Sequence, residues 1–238
     1  MNTLEQACEW LRQADAVVAL TGAGISAESG IPTFRGAGGL WKQYRPEELA
    51  TPEAFARDPR LVWEWYDWRR GLIAQASPNQ GHYALVDLER RCRRFTLVTQ
   101  NVDGLHDRAG SRNILKLHGD IWTLRCTACG KESRNERPSL PELPPRCSCG
   151  GLLRPGVVWF GEALPEKVWS DAQAAARQAE VLLVVGTSAV VYPAIGLVPI
   201  ARSAGARVIE VNLEETPLSE ELDCSLRGRA GEILPKLV

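Results

Sequence analysis

The sequence lacks any run of residues long and apolar enough to span a membrane. Its first twenty residues, MNTLEQACEWLRQADAVVAL, carry acidic residues early. They have neither the basic start nor the unbroken apolar stretch of a signal peptide. Low-complexity tracts and internal repeats are also missing. We therefore expect a soluble intracellular protein, cytoplasmic and without a membrane partner.

An excess of charge of either sign is also missing. The 238 residues include 28 Lys and Arg against 29 Asp and Glu, for a formal net charge of -1. Domains that bind nucleic acid usually run strongly basic, so direct nucleic-acid binding is not expected. Hydrophobic residues make up 45% of the chain, which is enough for a core. The length fits one large domain, or one domain that carries a small insertion.

Cysteine is sparse except in one cluster. The total is seven, and an odd count in such a chain argues against a disulfide framework. Cys126 and Cys129 form a C-x-x-C pair, and Cys147 and Cys149 form a C-x-C pair seventeen residues later. Two thiolate pairs suit a tetrahedral zinc ion, and an all-cysteine shell leaves no open position for catalysis. We predict one structural zinc ion, although the second pair is one residue short of the common pattern.

Short apolar runs alternate with amphipathic stretches along most of the chain. Such runs, rich in β-branched residues, are typical of strands buried on both faces, and the intervening helices indicate a parallel sheet covered on both sides. The predicted strands are 16–20 (AVVAL), 95–99 (FTLVT), 181–185 (VLLVV), 207–211 (RVIEV) and, more weakly, 114–117 (ILKL). The predicted helices are 2–13, 81–91 and 166–179. The predicted fold class is α/β.

Two segments interrupt this alternation. Residues 121–155 are polar and proline-rich and contain the four clustered cysteines, so they indicate an inserted module folded around a metal. Residues 36–75 are helical in pattern and rich in aromatic side chains. We expect the two segments to form one small domain.

Small or polar residues follow every predicted strand. Ligands of open parallel sheets bind beyond the carboxyl ends of the strands, so these residues predict a ligand crevice. The first of them, TGAGIS (21–26), is an imperfect match to the G-x-G-x-x-G phosphate loop, and a tight strand-to-helix turn is the alternative. No acidic residue convincingly ends a second strand, which counts against an ordinary NAD dehydrogenase.

At this point the motifs resemble those of the sirtuin family over nearly the whole chain. The matching stretches are GAGISAESGIPTFRG (22–36), TQNVDGLHDRAG (99–110), LHGD (117–120), the four cysteines, RPGVVWFGE (154–162), GTS (186–188) and the asparagine of VIEVNLE (208–214). The resemblance implies a Rossmann-like NAD-binding domain of residues 1–35, 76–120 and 156–238. The small domain would then comprise 36–75 and the zinc module 121–155.

The resemblance also implies a reaction. NAD and an acyl-lysine peptide or protein would bind between the domains, and the acyl group would pass to the ribose. The products would be nicotinamide, free lysine and an O-acyl-ADP-ribose. His118 would be the general base, a role that suits a side chain titrating near neutrality.

Further residues are assigned through the same resemblance. The implied cofactor site comprises Gly22, Ala23, Gly24, Ser26, Ile31, Phe34, Arg35, Trp41, Gln100, Asn101, Asp103, Gly186, Thr187, Ser188, Asn212, Leu213, Glu214 and Ala230. The implied substrate site comprises Ala27, Tyr66, Arg69, Val158, Trp159, Phe160, Gly161 and Tyr192. The stretches 158–161 and 191–193 would pair with the substrate peptide as added strands.

Tyr66 and Arg69 indicate which acyl group is removed. They stand three residues apart, and on a helix they would share a face. A guanidinium can grip a carboxylate with two parallel hydrogen bonds, and a tyrosine hydroxyl can add a third. The Y-x-x-R pattern and the small Ala27 resemble the sirtuin subgroup that removes succinyl and malonyl groups. The alternative is that Tyr66 only packs among tryptophans while Arg69 faces water.

Other functions stay open from the sequence. The chain could be mainly a protein-lysine deacetylase, or a protein ADP-ribosyltransferase that uses the same nicotinamide-releasing step. A hydride-transferring NAD oxidoreductase would need a proton-relay site that the sequence does not offer. A zinc-ribbon nucleic-acid binder fits poorly with the balanced charge of the cysteine-containing loop.

Overall fold

The computed structural model describes residues 3–35 and 39–238, and for Trp41 it describes the backbone only. The strands are β1 (Ala16–Thr21), β2 (Arg94–Thr99), β3 (Ile114–Lys116), β4 (Gly119–Cys126), β5 (Glu132–Arg134), β6 (Leu153–Val157), β7 (Val181–Val185), β8 (Arg207–Asn212) and β9 (Cys224–Arg227). The helices are α1 (Thr3–Gln13), α2 (Gly24–Ala27), α3 (Pro46–Leu49), α4 (Pro52–Arg57), α5 (Pro59–Gln75), α6 (Gln80–Arg91), α7 (Leu105–Ala109), α8 (Glu166–Gln178), α9 (Leu197–Ser203) and α10 (Ala230–Leu237). Short 3-10 turns lie at Leu40–Lys42 and Ala194–Gly196.

The main sheet is parallel, in the order β3-β2-β1-β7-β8-β9. Every residue of β1 and β7 is buried, because helices cover both faces of these inner strands. The predicted strands are present within one residue at each end. The edge strand β3 is only half-buried, which explains its weak sequence pattern. The other edge strand, β9, has the short and partly polar sequence CSLR and was not predicted.

The predicted α/β class, with helices on both faces, is confirmed. One face packs α1, α6 and α10 against apolar side chains such as Leu97 and Ile209. The opposite face packs α8 and α9 against side chains such as Leu182 and Val208. These two layers contain the core of the main sheet.

A smaller antiparallel sheet, in the order β5-β4-β6, carries the four clustered cysteines on its strands and loops. It packs against α3, α4 and α5 through a second core that includes Trp63 and Ile121. Helix α5 begins sharply because Pro59 occupies its first turn and the Asp58 carboxylate accepts a hydrogen bond from the Leu61 N–H.

One face of α5 is fixed to the small sheet by hydrogen bonds. The indole N–H of Trp63 donates to the Leu153 carbonyl at 2.7 Å. The Asp67 carboxylate accepts from the Ser139 hydroxyl and the Leu140 N–H. The Arg70 guanidinium donates to three backbone carbonyls and the Asn135 side chain. Since positions 63, 67 and 70 lie along one side of the helix, positions 66 and 69 are turned towards another side.

The strand order reverses direction at β1, because β2 lies on one side of it and β7 on the other. Open parallel sheets bind their ligands at such a switch point, beyond the carboxyl ends of the strands. In the described part of the chain, no helix is both long and apolar enough to cross a membrane.

Candidate active site

A cleft of about 950 Å³ lies at this switch point, between the main sheet and the helices and strands of the smaller core. Its walls come from the carboxyl ends of β1, β2, β7 and β8, from α5 and from the chain after β6. Most of the predicted site residues line it: Gly22, Ala23, Gly24, Ala27, Phe34, Arg35, Tyr66, Arg69, Gln100, Asn101, His118, Val158, Trp159, Phe160, Gly161, Gly186, Thr187, Ser188, Tyr192, Asn212, Leu213, Glu214 and Ala230.

Three predicted cofactor residues lie outside this lining. Ser26 and Asp103 are buried behind it and contact each other, since the Ser26 hydroxyl donates to the Asp103 carboxylate at 2.9 Å. Ile31 is buried in the smaller core. A further one, Trp41, has its side chain outside the described part of the structure, and residues 36–38 of the predicted small domain also lie outside it.

Close packing requires the two glycines after β1, a role that the sequence motif alone did not indicate. The N–H groups of Gly22 and Gly24 donate to the carbonyls of Val185 and Gly186, at 2.9 and 2.7 Å. A Cβ atom on Gly24 would lie 2.7 Å from the Gly186 backbone, and one on Gly22 would lie 2.8 Å from it. These two glycines therefore permit close packing of the loops after β1 and β7, and their N–H groups are already used within the protein.

A buried polar layer supports the floor of the cleft. The Thr21 hydroxyl contacts Nε2 of His106 at 3.0 Å and donates to the Thr99 hydroxyl at 2.8 Å. The ring of His82 lies 4.8 Å from the ring of His106. Burial lowers the pKa of both histidines, for His82 to about 4, so both rings are neutral at physiological pH. Burial also raises the pKa of the Asp103 carboxyl.

His118 is held in an orientation that suits a general base. Its Nδ1 lies 3.0 Å from the backbone carbonyl oxygen of Gln100. Since a carbonyl only accepts, Nδ1 carries the hydrogen and Nε2 keeps its lone pair. Burial lowers the pKa of His118, and the nearby Arg35 charge acts in the same direction, while the bond to Gln100 opposes them. The neutral imidazole is therefore the form present at physiological pH.

Hydrogen bonds link residues at the carboxyl ends of four strands in the lining of the cleft. The Gln100 amide donates to the Thr187 hydroxyl at 3.1 Å, which links the end of β2 to the end of β7. The Asn212 amide donates to the Thr187 carbonyl at 3.0 Å, which adds the end of β8. The amide of Asn101 donates to the Gly22 carbonyl at 3.0 Å. These bonds fix the relative positions of the polar residues predicted from the strand ends.

Tyr66 and Arg69 face the cleft together and are both buried. The Tyr66 hydroxyl accepts a hydrogen bond from the indole N–H of Trp159 at 3.0 Å, so its own proton remains for another acceptor. The Arg69 guanidinium lies 4.7 Å from the centre of the Phe34 ring and 5.0 Å from that of Trp65. It is 5% exposed, and within residues 3–35 and 39–238 it forms no hydrogen bond or ion pair. The alternative in which Arg69 faces water is therefore wrong.

The turn after β6 places Trp159 against this pair. The Arg154 guanidinium binds both carboxylate oxygens of Glu162, at 2.6 and 2.7 Å, and lies 3.5 Å from the centre of the Trp159 ring. The Glu162 carboxylate also accepts from the Trp159 backbone N–H. This network explains why the sequence WFGE turns sharply here and keeps the Trp159 indole directed at Tyr66.

The four clustered cysteines fit a zinc ion. Their sulfur atoms all lie within 4.8 Å of one another, and the pairs Cys126–Cys149 and Cys129–Cys147 are 3.5 and 3.9 Å apart. A tetrahedral ion with Zn–S bonds of about 2.3 Å holds its sulfurs roughly 3.8 Å apart. Hydrogen bonds, first that from the backbone N–H of Cys129, lower the pKa of the Cys126 thiol to about 6, which favours the thiolate that binds metal, whereas the neighbouring thiols raise the pKa of Cys149 to about 11.

Several residues that line the cleft were not predicted from the sequence. Trp65 precedes Tyr66 and reaches the cleft from the same helix, while Glu162 belongs to the turn after β6. Thr216 and Arg229 come from loops near the carboxyl ends of β8 and β9. Adjacency to a predicted residue was a usable signal for Trp65 and Glu162. Arg229 likewise precedes the predicted Ala230, whereas no comparable signal marked Thr216.

Comparison with known proteins agrees with this geometry. The model of the Sir2 family matches residues 22–193, which include the motifs after β1, β2, β3 and β7 and the four cysteines. The chain belongs to the Sir2 family. Over 222 residues it is 59% identical to an NAD-dependent protein deacylase of Aquifex aeolicus (strain VF5), with 93% of each chain covered.

Solved structures of Sir2 homologues have the same fold. A Sir2 homologue in complex with NAD is 52% identical and aligns with a TM-score of 0.92, covering 98% of this chain and 91% of the other. A mutant Sir2 homologue in complex with ADP-ribose is 51% identical and aligns with a TM-score of 0.95, covering 100% and 95%. The sirtuin resemblance of the sequence is thereby confirmed at the level of the family.

Proposed function

We propose that this Sir2-family chain is an NAD-dependent protein-lysine deacylase whose preferred acyl groups are acidic, above all succinyl and malonyl. The deacylase activity is that of its close relatives. The acyl preference rests on one observation, which is a buried guanidinium in the cleft, Arg69, without a hydrogen-bonding partner among the described residues. A buried charge in that state is costly, and the carboxylate of an acidic acyl group would satisfy it.

The cleft offers room and suitable chemistry for NAD. When bound, NAD supplies a ribose that accepts the acyl group, so that nicotinamide, free lysine and O-acyl-ADP-ribose are the products. The residues that line the cleft at the ends of β1, β7 and β8 would bind it, with Ser188 and Asn212 at the adenosine end and Asn101 near the nicotinamide. Asp103 and Ser26 would act from behind the wall, since they are buried.

His118 would take a proton from a ribose hydroxyl through Nε2, because Nδ1 is committed to the Gln100 carbonyl. The lowered pKa of this histidine keeps the base available at physiological pH. The substrate peptide would enter along residues 158–161 and 191–193, whose side chains line the same cleft, and pair with them as an added strand.

The acidic acyl group would be held by two side chains of α5. Arg69 would donate two parallel hydrogen bonds to the carboxylate, and Tyr66 would donate its free hydroxyl proton. A hydrogen bond to a charged group contributes about 1.5–3 kcal/mol, which corresponds to roughly a 10- to 150-fold preference in kcat/KM. An acetyl group would still fit, and it would react without this contribution.

Zinc would be bound by Cys126, Cys129, Cys147 and Cys149 and would supply structural cross-linking of the small sheet. The four thiolates would fill every coordination position of the zinc ion, so the ion would take no part in the chemistry. We further propose that residues 36–75 and 121–155 form the small domain, with 1–35, 76–120 and 156–238 forming the NAD-binding domain.

The test compares peptides that carry acetyl or succinyl on the same lysine, with and without NAD, by mass spectrometry. The natural protein, Arg69→Met and the control Arg60→Met should be assayed side by side. Arg60 lies on the same helix but is exposed and paired with Glu64, so its loss should change nothing. We expect NAD-dependent desuccinylation that falls about 10- to 150-fold in Arg69→Met, with deacetylation preserved.

Two outcomes would contradict the proposal. If the natural protein deacetylates as well as it desuccinylates and Arg69→Met changes neither rate, the chain is a deacetylase and Arg69 has no role in acyl choice. If labelled ADP-ribose is transferred to protein without deacylation, the ADP-ribosyltransferase alternative is the better one. Tyr66→Phe provides a second check, since it should reduce only the rate for the succinylated peptide.

A further inference from the structure

A carboxylate stands on the buried face of an inner strand of the main sheet. Glu210 of β8 is 1% exposed and lies between Val184 of β7 and Ser225 of β9. Val208, two residues earlier on the same face, packs in the apolar core. Burying a charge costs several kcal/mol unless hydrogen bonds compensate it. An apolar side chain would satisfy the packing alone, so the carboxylate calls for another explanation.

Four side chains donate to this carboxylate. The hydroxyls of Thr216, Ser219 and Ser225 each lie 2.6 Å from it, and the Arg227 guanidinium lies 3.0 Å away. Burial alone would raise the pKa of Glu210, but these hydrogen bonds together lower it below the ordinary glutamate value. Glu210 is therefore charged, and its oxygens are satisfied.

Two of the donors belong to the segment of residues 213–223, which connects β8 to β9 without a helix. Thr216 is bound by Glu210 directly. Glu214 is held indirectly, because Arg227 also donates to its backbone carbonyl at 3.2 Å. The other hydrogen bonds of Thr216 and Ser219 stay within the segment. Glu210 thus supplies the side-chain hydrogen bonds that tie the middle of this segment to the sheet, beside the apolar packing of Leu218 and Leu222 against the core.

The segment forms one wall of the cleft. Leu213, Glu214 and Thr216 line it beside Asn212, at the end where the proposed function places adenosine. If Glu210 lost its charge, this wall would lose charge-assisted hydrogen bonds to β8, whereas the part of the cleft lined by His118 and Arg69 should be unaffected. The hydrogen bonds of Glu210 should therefore affect the binding of the adenosine half of the ligand.

We propose that Glu210 is a positioning residue for the nucleotide, which holds residues 213–219 in place as the wall that contacts the adenosine half of NAD. The inference rests on the NAD-dependent activity proposed above and is independent of the acyl preference. Glu210 would act on NAD binding by holding this wall in place, without contacting the ligand itself.

The experiment measures the Kd for ADP-ribose by calorimetry, and the KM for NAD and for the acyl peptide, on the full chain. Glu210→Gln preserves shape but loses the charge, and we expect its Kd for ADP-ribose and its KM for NAD to rise roughly 10-fold, since one charged hydrogen-bonding link is lost. The KM for the peptide and kcat at saturating NAD should stay within about twofold. The control Glu221→Gln, which makes the same change at an exposed site of the same segment, should behave as the natural protein.

A pair of serine variants keeps the test informative if Glu210→Gln does not fold. Ser219→Ala removes a link between Glu210 and the segment, whereas Ser225→Ala removes an equally short bond within the sheet. We expect only Ser219→Ala to weaken ADP-ribose binding, by about 3-fold or more. Equal binding by Ser219→Ala and Ser225→Ala, or unchanged binding by a folded Glu210→Gln, would overturn the inference. Failure of the natural protein to bind ADP-ribose would instead refute the NAD-dependent function, and this inference with it.

Discussion

Changing either of two adjacent arginines of α5, Arg69 or Arg70, to methionine should affect the free energy of unfolding to very different extents. Arg69 is 5% exposed and faces the cleft without a hydrogen bond or ion pair in the described residues, while Arg70 is 0% exposed and faces the small sheet. The Arg70 guanidinium donates to the carbonyls of Ile121, Asn135 and Arg137, and to the Asn135 side chain at 2.7 Å. Changing each arginine to methionine removes the charge and keeps a long apolar chain. The expected difference lies in the free energy of unfolding.

The magnitude follows from the partners. Arg70→Met leaves three backbone carbonyls without their donor, at a cost of roughly 1–3 kcal/mol each when they stay buried. Asn135 and Arg137 lie where water can reach them, so we expect a total loss of about 3 kcal/mol. Arg69→Met removes a charge whose pKa burial already lowers, and it forfeits about 0.5–2 kcal/mol of attraction to the Phe34 and Trp65 rings. The two effects oppose each other, and the stability should stay within about 1 kcal/mol of the natural value or exceed it.

Urea unfolding followed by the fluorescence of the 8 tryptophans measures both values by linear extrapolation. Circular dichroism on the same samples checks that the transition is two-state. If Arg69→Met loses as much stability as Arg70→Met, then Arg69 is a structural residue with bonds of its own. That result would contradict the proposal that Arg69 is retained to bind the carboxylate of a substrate.

Three further predictions concern pH and metal. Because burial lowers the pKa of His118, the loss of kcat/KM at acidic pH should have its midpoint below pH 6.5, and a midpoint above that pH would contradict a buried neutral base. His118→Ala should abolish deacylation while ADP-ribose binding persists. The unfolded chain protonates His82 near pH 6.5 but the folded chain only near pH 4, so the free energy of unfolding should fall as the pH decreases through this window. His82→Gln should flatten that part of a stability-against-pH series, and an unchanged slope would argue against a neutral buried His82. Metal analysis should find about one zinc per chain, lost in Cys129→Ser together with thermal stability, and a metal-free natural protein would refute the site.

The resemblance to the sirtuins could be established without coordinates because its motifs are local in sequence. The same holds for the strands of the main sheet, whose apolar runs are continuous because both faces are covered. The cysteine spacing predicted the group of four sulfurs for a similar reason, since each pair sits on a single tight turn.

Sequence patterns were less informative about β9 and about Glu210. The strand CSLR is too short and too polar to stand out, and it is ordered by pairing with β8. Glu210 interrupts an apolar strand, and the sequence does not explain why. The structure explains it, because four side chains donate hydrogen bonds to its carboxylate: Thr216, Ser219, Ser225 and Arg227. Such a group of donors is assembled from separate parts of the chain, and no local pattern predicts it.

The family, the fold class, the candidate base and the zinc ligands could be predicted before the fold was known, because each of these depends on residue types at fixed short spacings. The tertiary fold sets which side of α5 faces the cleft, through hydrogen bonds from Trp63, Asp67 and Arg70 to chain segments some 50 to 90 residues away. It also decided that Gly22 and Gly24 serve the packing of two loops. Hydrogen bonds and close packing between distant segments depend on which segments the fold brings together, and residue spacing along the sequence does not predict this.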